Sequence, residues 1–255
     1  MTSNRLANKN ILLIGGTSGI GFAVAKEALA AGANITISSS SPERVANAFG
    51  RLKESNPDRA SAIRTHVADL SIKDQLETTI ESLLKFTAEI APVDHVVFTA
   101  GNVPPLVPLA EASFADFEVF LAVRFFGAMA LGKYAPKYMT IGKESSITLT
   151  SGTQVQKPTF WMPPAVGGAV EGLMKGLAVT LAPVRVNAVS PGLIMTELID
   201  RMPNEMKQFV QKAEEQSLTK DVGYPEDTAE AYLYLMKDYF ATGSIVTTNG
   251  GVFLV

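Results

Sequence analysis

The sequence predicts an α/β fold: a doubly wound parallel sheet of about seven strands with helices on both faces. Two observations carry that expectation. Short apolar runs alternate with helix-length amphipathic stretches along most of the 255 residues, and repeated β-then-α units of this length require parallel strands joined by helical crossovers. The first apolar run, residues 11–14, ends in Gly15-Gly16-Thr17-Ser18-Gly19-Ile20-Gly21, a glycine-rich turn that opens a helix.

Taken in order, the strand at 11–14 precedes a helix over 22–31, and the strand at 34–38 precedes a helix opened by Ser41-Pro42, an N-cap with proline in the first turn. A strand over 62–67 leads to Asp69 and a helix over 73–86. Further strands fall at 95–98, 146–149 and 185–189. No linker or composition shift divides the chain, so one domain over 1–255 is expected. The irregular stretch 196–223, polar and holding Pro203, follows a strand whose C-terminal end faces the ligand crevice of such a sheet, and is a candidate lid.

Composition excludes several functions. With 47% apolar and 18% charged residues and a net charge of −3, the chain is globular and has no basic footprint for nucleic acid. It holds no cysteine, which removes disulfides, thiolate nucleophiles and cysteine metal sites. His66 and His95 lie far apart in sequence without clustered acids, so no metal site is expected. Residues 1–10 lack the apolar core of a signal peptide. No apolar run reaches the roughly 18 residues of a membrane span. A cytoplasmic protein without membrane contact is expected.

In the first turn, Gly15, Gly19 and Gly21 would allow a tight bend, backbone approach to phosphate and helix–strand packing, with Thr17, Ser18 and Ile20 between them. The helix end behind them offers free N–H groups to a dinucleotide pyrophosphate. The next strand ends in Ser38-Ser39-Ser40-Ser41, with Arg44 one turn into the helix, where NAD sites place a carboxylate. Ser39, Ser40, Ser41 and Arg44 suit a 2′-phosphate, favouring NADP(H); the alternative is a solvated serine-rich turn.

These features, with five more segments in the same order, resemble the short-chain dehydrogenase/reductase family and its Rossmann fold along essentially the whole chain. The resemblance implies that Asp69-Leu70 contacts adenine. It implies that Ala100-Gly101 is the surviving half of the motif after the fourth strand. It also implies that the segment 185–196, with Pro191, Gly192, Ile194 and Thr196, lines the nicotinamide. Residues 223–229 and 242–251 match two later motifs, with Asn249 where aspartate is usual.

The family's Tyr-x-x-x-Lys pair is missing. Counting back from 169–176 places Pro163 at the tyrosine and Gly167 at the lysine, and the helix asparagine falls on Arg124. The family serine survives as Ser151, or as Thr150. Reducing a ketone needs a proton donor for the developing oxyanion. Two routes avoid one: a substrate already positive, such as an iminium ion, or a fixed cation that polarises the reacting group. Arg124 reads as that cation or as half of an ion pair. Divergent short-chain reductases that lack the pair, among them fungal indole-alkaloid reductase/Diels–Alderases, show a similar pattern. Their loop aspartate has no counterpart here.

Asn102, Pro104 and Pro105 after the fourth strand, and Phe160, Trp161 and Pro163 in the replaced catalytic segment, form either rigid apolar walls for a bulky small-molecule substrate or packing loops. The resemblance also implies a homodimer or homotetramer through helices around 113–136 and 164–181. The expected activity is NADP(H)-dependent reduction of a preactivated C=N or C=O group in specialised metabolism, with or without cyclisation. A non-redox cyclase and an inactive NADP(H) sensor are the alternatives.

Overall fold

The strands β1 (Asn10–Ile14), β2 (Asn34–Ser39), β3 (Ile63–Val67), β4 (His95–Phe98), β5 (Ser146–Thr150), β6 (Arg185–Pro191) and β7 (Ile245–Thr248) form one sheet. They pair in the order β3-β2-β1-β4-β5-β6-β7, with every ladder parallel. This computed structural model describes residues 4–102, 107–200 and 207–255.

Strand alternation divides the sheet's side chains between two cores. Leu12 and Ile14 of β1, Val96 of β4 and Ile147 of β5 meet α3 (Leu76–Ala88), α5 (Gly127–Tyr134) and α6 (Met162–Thr180) on one face. Ile11 and Leu13, Ile35 and Ile37, and Val97 and Val189 meet α1 (Gly19–Ala30), α2 (Pro42–Ser55) and α9 (Pro225–Lys237) on the other. With both faces covered, the central β1 and β4 read as near-continuous apolar runs over residues 11–14 and 96–98. Each fully buried Leu or Ile contributes about 1.5–3 kcal/mol.

Strand order reverses between β1 and β4, which leaves a crevice at their C-terminal ends. A helix over α4 (Phe114–Leu121) and α5 borders it, with a π-helical turn at Ala122–Phe126 between them. Ser113 and Asp116 cap α4 reciprocally. Glycine at 127 lets this helix approach the sheet, because a Cβ there would lie 3.0 Å from Phe98 Cζ.

After β6 come the short α7 (Glu197–Asp200) and α8 (Lys207–Gln216). The two ends of this excursion are stitched together: Met195 N donates to Gly223 O at 2.8 Å and Gly223 N to Leu193 O at 3.0 Å. Residues 201–206 of the expected lid lie outside the described residues.

Candidate active site

Backbone packing dictates the glycine turn. Gly15 sits at φ +93°, where a Cβ would fall 2.6 Å from Ala100 N. At Gly21 a Cβ would fall 2.3 Å from the Gly15 carbonyl oxygen. Thr99 and Ala100 N–H both donate to Ile14 O, tying β4 to the turn. The result is one wall of a cavity of 740 Å³ that runs along the C-terminal edge of the sheet.

Gly15, Thr17, Ser18, Gly19, Ile20 and Gly21 line one end. Asp69 and Leu70 follow at the tip of β3, with Asp69 Oδ1 accepting from Ser71 N at 2.9 Å and Ser71 Oγ at 2.7 Å. Ala100, Gly101 and Asn102 lie at the tip of β4, and Pro191, Gly192, Ile194 and Thr196 after β6. The N-terminus of α1 takes an anion: Gly19 N–H donates to Glu197 Oε2 at 2.8 Å, the carboxylate standing in for a phosphate oxygen. A dinucleotide therefore fits these residues.

At the end of β2, Arg44 Nε donates to Ser39 Oγ at 3.2 Å and an Arg44 terminal nitrogen to Ser40 Oγ at 2.9 Å. All three line the cavity. Ser41 is not part of the wall; its side chain accepts from Arg44 N as the N-cap of α2. That bond uses one lone pair of the hydroxyl and leaves its proton free.

At the other end, the π-turn carries Arg124. Its guanidinium lies against Gly101, where a Cβ would fall 2.4 Å from Cζ, and over the Phe120 ring at 5.5 Å. Arg124 Nε is buried without a hydrogen-bond partner, and no carboxylate pairs with Arg124 among the described residues. Burial lowers its pKa from the ordinary value, opposed by the Tyr232 phenol; a guanidinium keeps its charge regardless.

Ser151 lines the cavity and donates to Glu171 Oε1 at 2.7 Å. Glu171, on α6, is 8% exposed and was not foreseen. Its place one helical turn past Gly167 was the available signal, since i and i+4 share a face. Thr150 instead bonds Phe98 O and the Tyr232 hydroxyl, each at 2.7 Å. Pro163 stands in the first turn of α6 and Gly167 on its inner face, both lining the cavity, with a Cβ at Gly167 reaching 3.4 Å from Ser151 Oγ.

Phe160 and Trp161 do not line the cavity, contrary to expectation. Trp161 stacks with Phe117 at 6.0 Å and donates Nε1–H to Val107 O at 2.9 Å. Both rings pack against Phe120, Met162 and Val166, so they buttress the wall from behind. An indole whose N–H finds a carbonyl is better satisfied there than at an apolar surface. Pro104 and Pro105 lie outside the described residues.

The remaining ionisable groups lie elsewhere. Lys157 Nζ donates to Val252 O and Val255 O, and Lys175 is exposed. Tyr134 and Tyr138 bond Glu77 and Glu81 on the outer surface. His66 stacks on Phe86, and buried His95 bonds Ser146 Oγ at 2.9 Å. Tyr232 is fully buried behind Thr150, and burial raises its pKa well above the usual phenol range. Among the described residues, the ionisable side chains on the cavity wall are Arg44, Asp69 and Arg124.

A family model described as an SDR-like Rossmann domain matches residues 2–255. The chain belongs to the short-chain dehydrogenase/reductase family. It is an oxidoreductase of the short-chain type. The short-chain dehydrogenase/reductase ATR9 of Stachybotrys chlorohalonatus is 40% identical over 98% of each chain. The solved structure of the MalC reductase/Diels–Alderase from Malbranchea aurantiaca matches with a TM-score of 0.92 at 40% identity, covering 99% of both chains. A small-chain dehydrogenase in complex with NADPH matches with a TM-score of 0.75 at 27% identity, over 97% of this chain and 100% of that one.

Proposed function

We propose that this short-chain oxidoreductase uses NADP(H) to reduce a preactivated C=N or C=O group in a bulky hydrophobic small molecule, with stereocontrolled cyclisation in the same cavity. The observation that carries the reading is the make-up of the cavity wall. Its described residues hold a hydrogen-bonded Ser39–Ser40–Arg44 cluster at one end, an unpaired Arg124 at the other, and no tyrosine, lysine or histidine.

Gly15, Gly19 and Gly21 would hold the pyrophosphate, and Ser39, Ser40 and Arg44 the 2′-phosphate. Nicotinamide bound toward Pro191, Gly192 and Thr196 would supply a hydride, a hydrogen with its electron pair, and no separate H⁺ for the substrate's heteroatom. Arg124 orients and polarises an oxygen of the substrate through a charge that no carboxylate neutralises. Phe120, Val123, Val166, Val170 and Ile199 add apolar surface to the same cavity wall. A substrate that needs no proton is the one this wall suits. The NADPH complex of one relative and the reductase/Diels–Alderase activity of another support the reading.

A non-redox cyclase is the second reading, favoured by the same absence of a donor, since cycloaddition transfers no proton. The reading includes a cytoplasmic protein, in keeping with a cysteine-free chain. It also includes a homo-oligomer formed through α4, α5 and α6, where Phe114, Val119, Met129 and Val179 are exposed.

The test incubates purified protein with NADPH and cyclic iminium or ketone substrates. Substrate-dependent loss of reduced-nicotinamide absorbance supports the reductase; product without that loss supports the cyclase; neither outcome leaves only a sensor. Arg124→Ala should lower turnover by about a hundredfold or more and leave the NADPH dissociation constant within about twofold. Full activity in that variant removes Arg124 from the site.

A further inference from the structure

Ser151 presents its oxygen, not its proton, to the cavity. Its hydroxyl lies on the cavity wall and donates to Glu171 Oε1 at 2.7 Å. A serine has one proton to donate and two lone pairs, so a hydroxyl committed to a carboxylate can only accept from a ligand. Charge-assisted bonds of this kind are about twice as strong as neutral ones, so a carbonyl oxygen competes poorly for that proton.

Glu171 is buried, and none of the salt bridges among the described residues involves it. Its second described contact is Gln156 Nε2, at 3.5 Å from the same Oε1. Gly167 brings bare backbone against Ser151 and offers no ammonium group. This corner therefore holds a negative charge behind an acceptor, while Arg124 supplies the positive charge elsewhere on the same cavity wall.

We infer that Ser151, polarised by Glu171, forms a subsite for a cationic nitrogen, so that the site selects an iminium or protonated imine over a neutral ketone. Glu171 is a positioning residue that acts through Ser151. The inference rests on the reductase reading above and narrows its substrate class to C=N⁺.

Binding tests it independently of turnover. The full chain, saturated with NADP⁺, is titrated calorimetrically with 3,4-dihydroisoquinoline at a pH where its nitrogen is protonated and offers an N–H to the Ser151 oxygen, and with 1-tetralone, a neutral ketone of similar size. The wild type should bind the cation at least about tenfold more tightly, the scale of one partly screened charge interaction. Glu171→Gln should erase that preference while the ketone and NADP⁺ constants stay within about twofold. Glu171→Asp, which keeps the charge, should retain part of it.

An unchanged cation-to-ketone ratio in folded Glu171→Gln overturns the inference. So does a wild type that prefers the ketone or binds neither probe, a comparison that needs no variant if Glu171→Gln fails to fold. Ketone reduction without any cation preference sinks the subsite and spares the reductase reading. Cation preference without NADPH consumption does the reverse.

Discussion

Replacing Glu197 by glutamine should tighten NADPH binding. Glu197 Oε2 accepts from Gly19 N–H at 2.8 Å, at the N-terminus of α1 where a pyrophosphate oxygen would lie, and Oε1 is 3.9 Å from an Arg51 terminal nitrogen. The cofactor and this carboxylate cannot share the Gly19 donor, so binding must displace the side chain. A carboxylate at a helix N-terminus is stabilised by about 0.3–1 kcal/mol. The Glu197 side chain is 44% exposed, so the Arg51 pair adds little. Displacement therefore costs about 1 kcal/mol, and Glu197→Gln, which keeps the shape and loses the charge, should lower the NADPH dissociation constant about fivefold. Fluorescence titration of bound NADPH measures it, and the gain should shrink at high salt as the charges are screened. Equal or weaker binding by the variant would show that Glu197 does not compete for the anion seat.

Gly101→Ala should uncouple activity from stability. The new Cβ would fall 2.4 Å from Arg124 Cζ, the far end of a flexible side chain, so the guanidinium swings aside and the fold persists. Turnover should fall at least about tenfold with the melting temperature within a few degrees; unchanged turnover would contradict the assigned role of Arg124. Tyr232→Phe deletes the hydroxyl bonded to Thr150 Oγ1 and should cost about 1 kcal/mol of stability with turnover intact. Collapse of turnover in a stable Tyr232→Phe would reveal the phenol as the missing acid. Burial holds His95 neutral, with its pKa pushed down from 6.5 to about 3. As pH falls below about 6.5 the unfolded chain takes up that proton first, so stability is lost progressively down to about pH 3. Between pH 7 and 5 the His95 contribution is about 2 kcal/mol. Denaturant unfolding of wild type and His95→Asn should differ by that pH-dependent amount, and parallel profiles would refute it.

The sheet was legible because its signals are local. Runs such as 11–14 and 95–98 are short, apolar and bounded by turns, and glycine at 15 and 21 marks a backbone crossing that no side chain could occupy. The helix that the family resemblance puts around 164–181 runs Met162–Thr180, with two prolines in its first turn. Hydroxyls of a serine run look alike in one dimension, and only the folded chain shows that the one at 41 caps α2.

The amino-acid sequence alone determined the parallel α/β architecture, the dinucleotide turn, the loss of the tyrosine–lysine pair and the presence of Arg124 where the family has its helix asparagine, because each depends on residue type and spacing along the chain. Tertiary structure decided which charges meet. Glu171 reaches Ser151 from twenty residues away, Glu197 reaches Gly19 across 178, and Arg124 finds no carboxylate among the described residues. Charge pairing depends on distance in space, and chain folding sets that distance only after packing has chosen which faces of α1, α6 and the π-turn look into the crevice.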